Sequence, residues 1–66
     1  MITRDELNKI LAKQRYKANK RAERQEKNGD PFGALRTLFI NQITESSAMV
    51  AYLEAEKQDK TAQQIQ

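Results

Sequence analysis

One short break in an otherwise helical sequence is the strongest constraint on the fold. The run Asn28-Gly29-Asp30-Pro31 contains the only proline and one of the two glycines. Asn28 and Gly29 are residues that readily adopt the left-handed backbone conformation with which many α-helices end. Asp30 can cap a following helix, and Pro31 suits a first helical position because the missing N–H would have no partner there. The pattern therefore predicts a turn at 28–30 between two helices.

The flanking segments set the bounds of these helices. Thr3 and Glu6 have the spacing of a capping box, which predicts a helix from residue 4 to residue 27. The residues on both sides of the break are mostly strong helix formers, and no alternating β-branched run is present. We expect a second helix from 31 to about 60, with a possible interruption at 44–47, and a frayed tail over 61–66. A turn this short makes the helices antiparallel, in one small domain spanning 1–66.

Composition excludes most forms of catalysis. The chain has no cysteine and no histidine, which removes thiol chemistry, imidazole proton transfer, disulfides and zinc fingers. No glycine-rich phosphate loop is present either. We therefore expect no enzyme, no cofactor and no metal site. The lack of a long apolar run predicts a soluble, cytoplasmic protein with no membrane partner.

The first helix has a narrow seam that weakens along its length. At about 100° per residue, the seam contains Leu7, Leu11, Gln14, Ala18, Ala22 and Gln25. Small residues near the turn allow another helix to approach closely. In an antiparallel hairpin they are expected to face four large residues of the second helix, namely Phe32, Leu35, Leu38 and Phe39.

The second helix is apolar over a wider surface. An arc of roughly 140° contains Phe32, Leu35, Leu38, Phe39, Ile43, Met49, Val50 and Leu53, and we call this set the apolar arc. One neighbouring helix cannot cover it. We predict a homodimer that forms a four-helix bundle through Leu35, Leu38, Phe39, Ile43, Met49, Val50 and Leu53. The alternatives are a loosely packed monomer and a face that binds another protein, with Ile40 and Tyr52 as further contact candidates.

Charge is concentrated in the first helix. Residues 1–28 contain nine Lys or Arg and four acids, whereas residues 29–66 contain three and five. A continuous basic stripe runs opposite the seam and consists of Lys9, Lys13, Lys17, Lys20, Arg24 and Lys27. The stripe is typical of a solvated helix face, but it also suits phosphate contacts. An anionic membrane is disfavoured because the opposite face becomes Ala and Gln.

The segment 14–24 alternates basic residues with Tyr16, Ala and Asn. In composition it resembles the short basic helices with which some phage antitermination proteins bind RNA hairpins. The whole chain is similar in style to accessory proteins of bacteriophages and plasmids, which often obstruct a host protein. Both resemblances imply a macromolecular partner. The candidate partner or nucleic-acid residues are Lys13, Tyr16, Lys17, Lys20, Arg21 and Arg24.

Two functions are consistent with these patterns. The first is a non-catalytic helical regulator or adaptor that acts by binding a larger protein. The second is a small DNA- or RNA-binding dimer that uses the basic stripe. No helix-turn-helix is recognisable, because two long helices leave no short element to position a reading helix.

Overall fold

A computed structural model shows two α-helices joined by a tight turn. It describes the backbone of residues 2–65 and the side chains of residues 2–59. Helix α1 spans Arg4–Lys27 and helix α2 spans Pro31–Ile65, and the described residues contain no strand. The prediction of an all-α chain of two helices is confirmed, and α1 and the start of α2 lie at the residues expected from the sequence.

The turn is closed by a Schellman motif. The Asp30 N–H donates to the Gln25 carbonyl at 2.8 Å, and the Gly29 N–H donates to the Glu26 carbonyl at 3.1 Å. Gly29 has a φ of 79°, in the left-handed region that glycine adopts without strain. These bonds satisfy carbonyls at the end of α1, so the chain reverses within three residues, as the sequence predicts.

Both helices are capped by side chains at their first turns. The Thr3 hydroxyl accepts from the Glu6 N–H at 3.1 Å and donates to the Glu6 carboxylate at 3.2 Å. At α2, the Asp30 carboxylate accepts from the Gly33 N–H at 2.9 Å. A Cβ at position 33 would overlap the Asp30 carboxylate. Gly33 therefore leaves room for this cap.

Helix α2 is longer than predicted and is continuous. It extends to Ile65, beyond the predicted end near Lys60, so residues 61–65 of the predicted frayed tail are helical, whereas Gln66 lies outside the described residues. The physical reason is that no glycine or proline follows Gly33, and Ala62 and Gln63 favour helix. The predicted weak point at 44–47 is also helical. There the Thr44 hydroxyl donates to the Ile40 carbonyl at 2.9 Å, within the preceding turn, and the helix stays intact.

The hairpin seam is small and partly polar. Its buried apolar side chains are Leu7, Leu11, Ala22 and Ala34, at 5–9% exposure. The α1 side follows the predicted seam, although Gln14 is exposed. The α2 side consists of residues that are buried or half-buried, namely Ala34, Thr37, Asn41, Glu45, Ala48, Tyr52 and Glu56. Only the end distant from the turn contains large aliphatic side chains of α1.

The predicted packing of large α2 residues onto the small residues of α1 is wrong. Phe32 is 83% exposed and Leu35 is 64% exposed, whereas Ala34 between them is buried. The centre of the apolar arc lies roughly 130° around α2 from the centre of the seam, so the two sets cannot face α1 together. Close approach near the turn needs small residues on both helices, and Ala22 and Ala34 meet that need.

Polar contacts across the seam fix the register of the two helices. Arg15 Nε lies 2.9 Å from Glu45 Oε1, and the Thr37 hydroxyl donates to Gln25 Oε1 at 2.7 Å. The Arg15 side chain is 59% exposed, so its ion pair contributes at most about 1 kcal/mol. These contacts therefore contribute more to the alignment of α1 with α2 than to the free energy of unfolding.

Two further contacts tie the start of α1 to α2. Arg4 donates two hydrogen bonds to the Glu56 carboxylate, at 3.2 and 2.6 Å. These bonds, and then the carboxylate charge, raise the pKa of Arg4 above its ordinary value. The Tyr52 hydroxyl donates to the Ile2 carbonyl at 2.9 Å. Tyr52, a predicted partner contact, therefore lies half-buried in the hairpin seam.

Candidate functional site

The apolar arc lies on the outside of the hairpin. Met49 is half-buried, and the other members are exposed, from 39% at Leu38 to 83% at Phe32. The Cα atoms extend over 58 × 18 × 9 Å, so the hairpin is one helix thick. No second layer within the described chain covers the arc. A contiguous apolar surface of this kind is characteristic of an interaction site.

A groove extends this surface towards α1. It has a volume of about 640 Å³ and lies between the helices, beside the apolar arc. Its apolar lining is Leu11, Ala12, Met49 and Val50, and its polar lining is Asn8, Arg15, Glu45 and Ser46. The apolar surface beside the arc therefore extends onto α1 through Leu11 and Ala12.

Most of the basic stripe lies on the face of α1 that points away from α2, and Lys17 borders a groove shared with α2. All six of its side chains are exposed, as are the candidate contact residues Tyr16 and Arg21. Arg15 does not belong to this surface because its guanidinium pairs with Glu45 across the seam. The structure thus brings together the six predicted partner residues along one side of α1 and separates them from the apolar arc.

Tyr16 forms a small cluster at the edge of the stripe. Its ring is 63% exposed, and the Lys20 ammonium lies 5.6 Å from the ring centroid, within cation–π range. The same ammonium is 3.7 Å from a Glu23 carboxylate oxygen. An exposed aromatic ring beside basic side chains is the composition found at the centres of protein interfaces.

A second groove lies on the opposite side of the hairpin from the apolar arc. It has a volume of about 610 Å³, and we call it the cationic groove. Its charged lining residues are Lys17, Arg21 and Arg36, and no carboxylate lines it. The other lining residues are Gln14, Ala18, Gln25, Thr37, Ile40, Asn41 and Thr44. The groove joins the basic stripe of α1 to a face of α2.

Arg36 is a member of this surface that the sequence did not predict. It lies in the half of the chain with a negative net charge, and its place beside Lys17 and Arg21 depends on how α2 is rotated against α1. Arg36 is four residues before Ile40 and eight before Thr44, and this spacing places the three residues on one face of a helix. That spacing is the feature of the sequence that could have indicated the surface. Ile40, predicted as a possible partner contact, also lines this groove.

The described residues contain neither a candidate metal cluster nor a candidate membrane span. Among the described residues, no group of three or more His, Cys, Asp or Glu is placed to hold a metal ion. Within the same part of the chain, neither helix contains an apolar stretch long enough to cross a bilayer. Comparison with known proteins finds no matching family model, curated protein or solved structure.

Proposed function

We propose that this protein is a non-catalytic helical adaptor or regulator that dimerises through the apolar arc and acts by binding a larger protein. The observation that carries the proposal is the exposure of the arc: among the described side chains of α2, the one apolar side chain that the hairpin buries is Ala34. A large apolar surface left exposed on a 66-residue chain is characteristic of a site that binds another molecule.

A second copy of the chain is the occupant that fits the arc most simply. A dimer buries two arcs of eight side chains each, and most of these side chains are about half exposed in the hairpin. At about 1.5–3 kcal/mol for complete burial of one side chain, the total is on the order of 20 kcal/mol. This exceeds the roughly 4–15 kcal/mol that association costs in lost freedom. Two arcs packed face to face give a four-helix bundle, with the groove beside Met49 at its margin.

Such a dimer leaves the basic stripe of each α1 on its outside. The stripe and the cationic groove lie away from the arc, so dimerisation does not cover them. Tyr16 is the strongest anchor candidate there, since its exposed ring stands beside Lys20. We therefore assign the larger protein partner to this side of the molecule.

Replacement of Tyr16 tests the class of partner. Tyr16→Ala is expected to weaken binding of a protein by about 2 kcal/mol or more, because a ring in a pocket is a typical hot spot. The measurement is affinity capture of lysate proteins after nuclease treatment. The mass of each variant in solution is determined in parallel, to show that its oligomeric state is unchanged. Lys20→Glu should lose the same captured protein. If both variants capture it at the wild-type level, this flank is not the binding surface.

The second candidate function is nucleic-acid binding by the same dimer. The observation that favours it is that the cationic groove, which continues the stripe, is lined by three cations and no carboxylate. In that case a random duplex binds with an affinity that falls steeply with salt. Lys13→Glu would weaken this binding, whereas Tyr16→Ala would change it little.

A further inference from the structure

We infer that the cationic groove docks an acidic, amphipathic segment of the partner protein. The inference rests on the proposed function, because the segment belongs to the larger protein that we propose binds the outer side of the dimer. Two features of the groove carry it. One is the positive charge of Lys17, Arg21 and Arg36, with no carboxylate in the lining, and the other is the exposed aliphatic side chain of Ile40.

The charged walls select acidic groups. Lys17 and Arg21 belong to α1 and Arg36 belongs to α2, so cations are supplied from both sides of the groove. The three are exposed, and the groove has no carboxylate lining that would neutralise them. The two guanidinium groups can each bind a carboxylate through paired hydrogen bonds.

Ile40 distinguishes a protein segment from a phosphate backbone. Its side chain is 56% exposed and lines the groove together with Ala18, which is half-buried. An aliphatic side chain there offers nothing to a phosphodiester but gives an apolar residue of a peptide a surface to cover. A segment with acidic residues on both sides of a short apolar face would pair its carboxylates with the three cations and cover Ile40 and Ala18. A helix of about 12 residues, roughly 18 Å long, would match the stretch from Gln14 to Gln25.

The test is a binding titration with a designed probe. The probe is a fluorescent, helix-forming peptide of about 12 residues with Leu along one face and Glu on both sides of it. Binding to the full chain is followed by anisotropy, and the contact surface is mapped by amide chemical shifts. We expect shifts to centre on Arg21, Arg36 and Ile40. A peptide with Ser in place of Leu should bind at least about fivefold more weakly.

Matched variants locate the site. Arg36→Glu should weaken binding about tenfold or more, whereas Lys9→Glu, the same change of charge outside the groove, should weaken it less than about twofold. Ile40→Ser should cost about fivefold, whereas Ile10→Ser should cost little, because Ile10 is similarly exposed but does not line the groove. Equal effects of Arg36→Glu and Lys9→Glu would overturn the inference, since they would indicate general attraction to charge.

Two other results distinguish peptide binding in the groove from the proposed dimerisation and from nucleic-acid binding. If the chain is a monomer but binds the probe through Arg36 and Ile40, the groove assignment stands and the proposed dimer fails. If the chain is a dimer and binds a single-stranded oligonucleotide but not the peptide, with Ile40→Ser without effect, the inference is overturned. Circular dichroism of each variant confirms that its helices are intact.

Discussion

Phe39→Ala is expected to dissociate the proposed dimer while the hairpin itself stays helical. Within one hairpin the ring is 63% exposed, so its removal from a monomer should change stability by no more than about 0.5 kcal/mol. Burial of the ring between two copies makes the same change cost about 3–5 kcal/mol. The expected result is dimerisation weakened at least about a hundredfold, since each 1.4 kcal/mol is tenfold in affinity.

The control is the adjacent residue. Ile40 is 56% exposed but lies outside the apolar arc, so Ile40→Ala should leave the dimer intact. Sedimentation equilibrium of the two variants beside the wild type measures the effect. If Phe39→Ala and Ile40→Ala have the same small effect, Phe39 is not in an interface and the arc is wrongly assigned.

Leu11→Ala should destabilise the hairpin directly. Leu11 is 9% exposed, and it and Leu7 are the large aliphatic side chains among the buried apolar residues of the described chain. Loss of such a side chain costs about 2–5 kcal/mol, which is a large share of the stability of so small a domain. We expect the urea unfolding midpoint to fall sharply and helicity to decrease at ambient temperature.

Ile10→Ala is the matched control for Leu11→Ala. Ile10 precedes Leu11 in the same helix but is 50% exposed, so its truncation should cost less than about 0.5 kcal/mol. Comparable losses from the two substitutions would mean that α1 is rotated differently against α2 from the arrangement described above.

The local structure could be read from the sequence because it depends on nearby residues. Gly29 supplies the positive φ that the turn needs, Asp30 caps α2, and Thr3 caps α1. Each of these signals acts within a few residues, and the bounds of α1 followed from them. The end of α2 has no such signal, because Lys60 is followed by residues that continue a helix as readily as they end one.

The face of α2 that meets α1 could not be read in the same way. Hydrophobicity favoured the arc that contains Phe39, yet the seam uses Ala34, Thr37 and Glu45. Two helices that pack closely need small side chains between them and polar side chains that meet across the seam, such as Glu45 and Arg15. Which polar residues meet depends on how the two helices are aligned in three dimensions. The same alignment places Arg36 beside Arg21, so the cationic groove emerged only from the structure.

The mass of the protein in solution shows directly whether the apolar arc is an interface between two copies of the chain. Sedimentation equilibrium and thermal unfolding should be measured over about a hundredfold range of concentration. We predict a mass twice that of the 7.6 kDa chain at the upper end, with an unfolding midpoint that rises with concentration. A 7.6 kDa species throughout, with a constant midpoint, would show that the apolar arc is not an interface between copies.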